Sequence, residues 1–176
     1  MRRIALILLV TGCSVADEPY PLSWDPLPPA PSADCAHFRG VYSDRGESPT
    51  SPNKPSLTRE LFGHDSPWEK AVSIELDPAD GTLDIRVAAP AANAYSRQLT
   101  AKAGEFACER GTLVVHSRRW VYSDLMSGRE TVKIEMHRAE RHLVTRVDET
   151  TTGVMFMVVP LSGESARWYR FPRLKP

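Results

Sequence analysis

The chain is 176 residues long, 41% hydrophobic and 25% charged, with 22 basic residues balanced by 22 acidic ones. That length suits one ordinary domain with its own core, or one domain plus a tail. Zero formal charge argues against a nucleic-acid binder, whose affinity rests on a basic excess. The one continuous apolar run, residues 4–10, spans about 10 Å as a helix against a bilayer core of ~30 Å. It does not read as a transmembrane helix.

The N-terminus reads as an address. Met1-Arg2-Arg3 supplies a positive n-region, and the apolar run behind it a short h-region, the order of an export signal. The run ends in Val10-Thr11-Gly12-Cys13. This resembles the lipobox of bacterial lipoproteins: a branched aliphatic, a small residue, Gly or Ala, then Cys. The resemblance covers only residues 1–14. It implies that residues 1–12 are a signal peptide and that cleavage leaves Cys13 first, carrying a thioether-linked diacylglycerol. With two or three acyl chains, at ~0.8 kcal/mol per buried CH₂, attachment to a membrane is effectively permanent. Ser14 stands where Asp would favour the inner membrane. The resemblance therefore implies the outer membrane of a Gram-negative cell, with the body in the periplasm. The competing reading is an ordinary signal peptide with an incidental cysteine.

Residues 13–34 follow as a tether. Residues 14–34 hold six of the 15 prolines, four acids and no basic residue, the composition of a semi-rigid polyproline spacer. Tyr20 and Trp24 fall within it, at the level of a lipid interface if the spacer is short. The body, residues 35–176, reads as a single domain with 20 basic and 18 acidic residues. Its charge is uneven: 8 basic against 11 acidic in residues 35–109, then 12 against 7 in residues 110–176.

Along the body the hydrophobic period is mostly two, the signature of half-buried strands. Phe38, Gly40 and Tyr42 open a first strand, and residues 57–62 allow a short helical turn after a Ser/Pro/Asn loop. Val72, Ile74 and Leu76 then alternate, as do Leu83, Ile85 and Val87. A two-residue Asp80-Gly81 turn sets Leu76 opposite Ile85 and Glu75 opposite Arg86, an attractive pair. It also forces Pro78 onto an edge or bulge. Residues 95–101 make a weaker strand. Residues 106–109 and 112–122 flank Arg110-Gly111, with Phe106, Cys108, Leu113 and Val115 on one face. Residues 131–138 and 142–148 form a further hairpin, in which Met136 is expected opposite Leu143, Ile134 opposite Thr145 and Val132 opposite Val147. Its outer pairs are then Lys133 with Arg146 and His137 with His142. Residues 153–159, apolar on both faces, read as central or buried, and residues 167–171 as a last strand. The expected fold is all-β: an antiparallel meander of about 8–10 short strands, closed as a barrel or a two-layer sandwich, with at most short helical turns.

The search for chemistry returns little. G-x-S-x-G, H-E-x-x-H, G-x-G-x-x-G, P-loop and C-x-x-C patterns are missing. His116, His137 and His142 come near one another on neighbouring strands, but Arg118, Lys133 and Arg146 on the same face oppose a cation. No metal and no cofactor are expected. Arg118, Arg119 and Trp120, with Arg167, Trp168 and Arg170, mix cations and aromatics as a candidate anion or ligand patch. The alternative is plain alternation on a half-buried strand. Met126, Met136, Met155 and Met157 read as core filler.

With Cys13 consumed by lipid, Cys35 and Cys108 remain. Two thiols are an even number for an oxidising compartment, and a Cys35–Cys108 disulfide is expected. Two unrelated cysteines are the alternative. These features suit a lipid-anchored binding or assembly accessory of the cell envelope, partnered by the membrane through its anchor and by an envelope protein or anionic envelope polymer. A lipocalin-like carrier of a small apolar ligand, and an envelope hydrolase, are the other classes. The sequence leans away from an enzyme.

Overall fold

The structure is a computed structural model that describes residues 17–63, 71–89, 95–123, 126–156 and 159–175. The lipobox residues and Met157 lie outside the described residues. Nine strands form one sheet: β1 (Gly40–Ser43), β2 (Ser73–Ala79), β3 (Thr82–Ala88), β4 (Tyr95–Thr100), β5 (Phe106–Glu109), β6 (Thr112–Tyr122), β7 (Met126–Arg138), β8 (His142–Met155) and β9 (Val159–Lys175). A helix, α1 (Leu57–Phe62), and two 3-10 turns complete the described elements. Spatial order is β4-β3-β2-β1-β9-β8-β7-β6-β5, and every strand pair is antiparallel. The sheet curls into a nearly closed barrel, which decides between barrel and sandwich. Its strands are less uniformly short than expected, with β9 reaching 17 residues.

Alternation builds the core. The inward residues Ile74, Leu76, Leu83, Ile85, Leu113, Ile134, Met136, Leu143, Val147 and Phe171 are all fully buried in one cluster. The β2–β3 hairpin has the expected register, with Leu76 opposite Ile85 and Glu75 opposite Arg86, and the last two form an ion pair at 3.3 Å. Pro78 lies on β2 beyond the reach of β1, whose pairing stops at Leu76, so its missing N–H interrupts no ladder on that side. Between β5 and β6, Arg110 and Gly111 both have positive φ, the turn that matches strand twist. A Cβ at Gly111 would lie 2.3 Å from the Ser32 carbonyl oxygen, so only glycine lets the N-terminal segment pass there.

The β7–β8 hairpin corrects the sequence reading by two residues. Met136 faces Thr145, Ile134 faces Val147 and Arg138 faces Leu143. A two-residue slip leaves every side chain on its expected face, because the pleat repeats every two residues. Ile134, Met136, Leu143 and Val147 are accordingly buried. Lys133, His137, His142 and Arg146, expected in the open, are half-buried: Asp17 of the N-terminal segment pairs with Arg146, Trp168 stands beside His137 and Glu135 pairs with Lys133. Residues 153–159 also depart from expectation. They include the end of β8 and the start of β9, and Val154, Phe156 and Val159 are exposed. Residues 153–155 are central in the sheet as expected, paired with β7 on one side and β9 on the other, but the stretch is not buried, and residues 157–158 lie outside the described residues.

Residues 17–34 lie against the barrel wall. Asp17 bridges Ala166 in parallel and pairs with Arg146 at 3.1 Å. Trp168 Nε1 donates to the Glu18 carbonyl at 3.0 Å, and the Tyr20 ring meets Trp168 edge-on at 5.0 Å. Arg170 stands 5.0 Å over the Trp24 ring. Tyr20 and Trp24 thus face protein. The far end of this strap is covalent: Cys35 and Cys108 form a disulfide with Cα atoms 5.8 Å apart.

Replacing both cysteines by serine should destabilise the domain by roughly 4 kcal/mol on the chain-entropy account, read as a lower midpoint in denaturant unfolding. Met136→Ala should cost ~2–5 kcal/mol in the same assay; a cost near zero would place Met136 outside the core.

Candidate binding site at the barrel mouth

The aliphatic inner rows of the sheet give way to charge at one end. Moving along the inward positions, Val115, Ile134 and Val147 are succeeded by Ser117, Arg119, Glu130 and Glu149, and Tyr169 by Arg167 and Ser165. Glu149 sits at the centre. It receives hydrogen bonds from Arg119 Nη2 at 3.5 Å, from Ser165 at 3.3 Å, and from Arg167. Arg119 also donates to Glu130. Four strands therefore share one belt, with two carboxylates on the inner pair of strands and a guanidinium on each outer one.

Helix α1 closes the belt from above, and its placement follows from local chemistry. Ser56 is its N-cap and accepts from the Arg59 N–H, satisfying a donor that the first turn leaves free. The Ser56 hydroxyl donates to the fully buried Asp44 carboxylate at 2.7 Å. The Thr58 N–H donates to the same carboxylate at 2.8 Å, and the Thr58 hydroxyl does so too. These contacts turn Leu57 and Leu61 into the core and leave Glu60 over the mouth.

Between this helix, the hydroxyl-rich loop of residues 48–55 and the belt lies a cavity of about 270 Å³. Lys54, Arg59, Arg119 and Arg167 line it, against Glu60 and Glu149. The Glu60 carboxyl is pushed up to about 7, first by burial and then by the Glu149 charge, with Arg167, Arg119 and Arg59 opposing. Tyr169 is pushed up to about 12, again chiefly by burial and then by Glu60. Half-neutralised Glu60 leaves the cavity with an excess of positive charge near neutral pH. Arg119 Nη1 and Arg167 Nε are buried with no acceptor among the described residues. The wall is therefore rich in donors and short of acceptors.

The six residues of the sequence-derived patch do not form one surface. Arg119 and Arg167 point inward to this mouth. Arg118 and Trp120 are exposed on the outer face, while Trp168 is buried on that face beneath Tyr20 and Arg170 pairs with Glu47 at 2.6 Å. Adjacent strand residues face opposite ways, so the division is imposed by the pleat. His116 is exposed opposite Lys133. The His137 ring lies 6.2 Å from that of Trp168, and burial lowers the pKa of both His137 and His142. Among the described residues no three His, Cys, Asp or Glu side chains gather as a metal-binding group. Sequence reasoning missed Glu60, Glu130 and Glu149. The available signal was charge at inward positions of four neighbouring strands. Comparison with protein-family models, curated proteins and solved structures finds no match.

Glu60 supplies a pH test. An acid whose folded pKa stands above its unfolded value favours folding while both states are protonated. That contribution is lost as pH rises from the unfolded value, near 4.5, through about 7. Glu60→Gln should remove this slope and raise the melting temperature relative to wild type at pH 8 but not at pH 4. Parallel pH profiles for the two proteins would contradict the assignment.

Proposed function

We propose that the protein is a lipid-anchored accessory of the bacterial cell envelope that binds, through the barrel mouth, an anionic group of an envelope polymer or partner. The observation that carries the binding half is the donor-rich cavity walled by Arg119 and Arg167. Carboxylates or phosphates on a hydroxylated polymer would supply the acceptors this wall lacks, and Arg meets such groups with a planar fork of donors. The anchor half rests on Val10-Thr11-Gly12-Cys13. The Cys35–Cys108 bridge supports it, since disulfides persist in exported compartments.

The barrel shape also suits a carrier of a small apolar ligand. The packed side chains that fill the interior from Phe38 to Phe171 favour the mouth instead. Glu149 has hydrogen-bond partners that account for it, and no hydrolytic step is assigned to the mouth.

Two measurements test the reading separately. Labelled palmitate should enter the wild-type chain and be absent from Cys13→Ala; equal labelling would reject the lipoprotein assignment. The purified full-length protein should bind anionic oligosaccharide fragments in calorimetry and ignore neutral ones of the same length. Arg167→Gln should weaken that binding about tenfold or more. Equal affinity for charged and neutral fragments would reject the mouth as an anion site.

A further inference from the structure

Among the described residues, five of the eight exposed large apolar side chains lie at one end of the sheet, the others being Leu22, Val72 and Leu174. Trp120 is 67% exposed, Tyr122 73% and Phe156 60%; Val154 and Val159 are exposed less. All five belong to the ends of the β6–β7 and β8–β9 hairpins. Tyr122 pairs with Ser127, and Ser127 with Val154, so Tyr122 and Val154 share a row on the outer face. The Trp120 and Tyr122 rings stack at 6.2 Å, and the exposed Arg129 lies directly opposite Trp120. Single exposed apolar residues need no explanation, but a stacked aromatic pair with an apolar neighbour in its row and a cation opposite does.

The strap says what lies beyond this end. Asp17 pairs in parallel with Ala166, and Glu18 then meets Trp168. Residues 17–18 therefore run in the direction of β9, with Asp17 on the side where β9 begins. Cys13 is four positions before Asp17, a reach of at most ~14 Å. On β9 the row of Trp120 ends at Ser162, four positions before Ala166, about 13 Å of strand. A lipid on Cys13 is therefore within reach of the level of Trp120.

We propose that the outer-face row of Trp120, Tyr122 and Val154, with Arg129, is a membrane-docking surface, seated on the anionic headgroup region of the bilayer that holds the Cys13 lipid. This rests on the lipoprotein reading above. Trp and Tyr favour the interface, where the ring is half in hydrocarbon and the polar edge stays wet. Arg129 faces anionic headgroups there. The barrel then stands on its anchor in one orientation.

The test uses the full-length lipidated protein reconstituted into phosphatidylcholine–phosphatidylglycerol vesicles, with or without bromine on the acyl chains. Subtracting the emission of Trp120→Phe from that of wild type isolates Trp120. Its emission should be lost in brominated vesicles, and Tyr122→Glu should restore it while labelled palmitate remains on the protein. Palmitate-labelled protein whose Trp120 emission is the same in both kinds of vesicle would overturn the docking proposal and leave the anchor standing. A chain without label at Cys13 would overturn the anchor and, with it, this docking geometry.

Discussion

Asp44 is fully buried, and its carboxylate is met by the Ser56 hydroxyl and by both the N–H and the hydroxyl of Thr58. A buried carboxylate without donors would cost several kcal/mol, so α1 must be capped by Ser56 for Asp44, just past β1, to be buried. The consequence spreads outward. Leu57 and Leu61 are aimed into the barrel, Glu60 is left over the charged belt, and the preceding loop of residues 48–55 becomes the outer wall of the cavity. One satisfied charge thus positions the plug, the core cap and half of the mouth.

The belt below that plug shows why the barrel changes character at its mouth. Arg119, Glu130, Glu149 and Arg167 occupy inward positions where aliphatic residues would extend the core. Replacing a buried ion pair by apolar side chains is often neutral or stabilising, so stability alone does not account for four charges and two hydroxyls in this layer. The belt compensates most of its own charge, which keeps the cost tolerable. It leaves guanidinium donors over. An interior that is aliphatic below and donor-rich above has its binding capacity at the rim.

How far the sequence reveals this depends on what each residue pattern encodes. Alternation sets which face a residue takes, and for Ile134, Met136, Leu143 and Val147 it does so correctly. Alternation does not set register, since a slip of two preserves every face. The β2–β3 pairing is legible because Asp80-Gly81 defines the turn and Glu75 meets Arg86. The β7–β8 pairing is not, because Ala139, Glu140 and Arg141 carry no turn signature. The disulfide follows from counting thiols once Cys13 is set aside. Glu60 and Glu149 were illegible as a pair, since a helix and a strand 89 residues apart in the chain meet only through the fold. The reading of Arg167 and Trp168 as one patch failed for a reason visible in the sequence, because consecutive strand residues take opposite faces.

The strap turns an anchoring motif into a geometric constraint. A proline-rich segment of this length, left free, would let the barrel tumble well above a membrane. Here the chain is fixed to the wall twice, by Asp17 and Glu18 against β8 and β9 and by Cys35 against β5. Only three residues stand between Cys13, the proposed lipid-bearing position, and Asp17. Under the proposed anchor, so short a leash would hold the surface near Ala166 at the bilayer. That surface holds Trp120, Tyr122 and Val154 on the very strands whose inner faces carry Arg119 and Glu149. Trp120 and Arg119 are consecutive residues on opposite faces of β6. Docking the outer aromatic row therefore holds the mouth at the level of the headgroups, where the anionic groups it would meet are those borne by the membrane or by polymers attached at its surface.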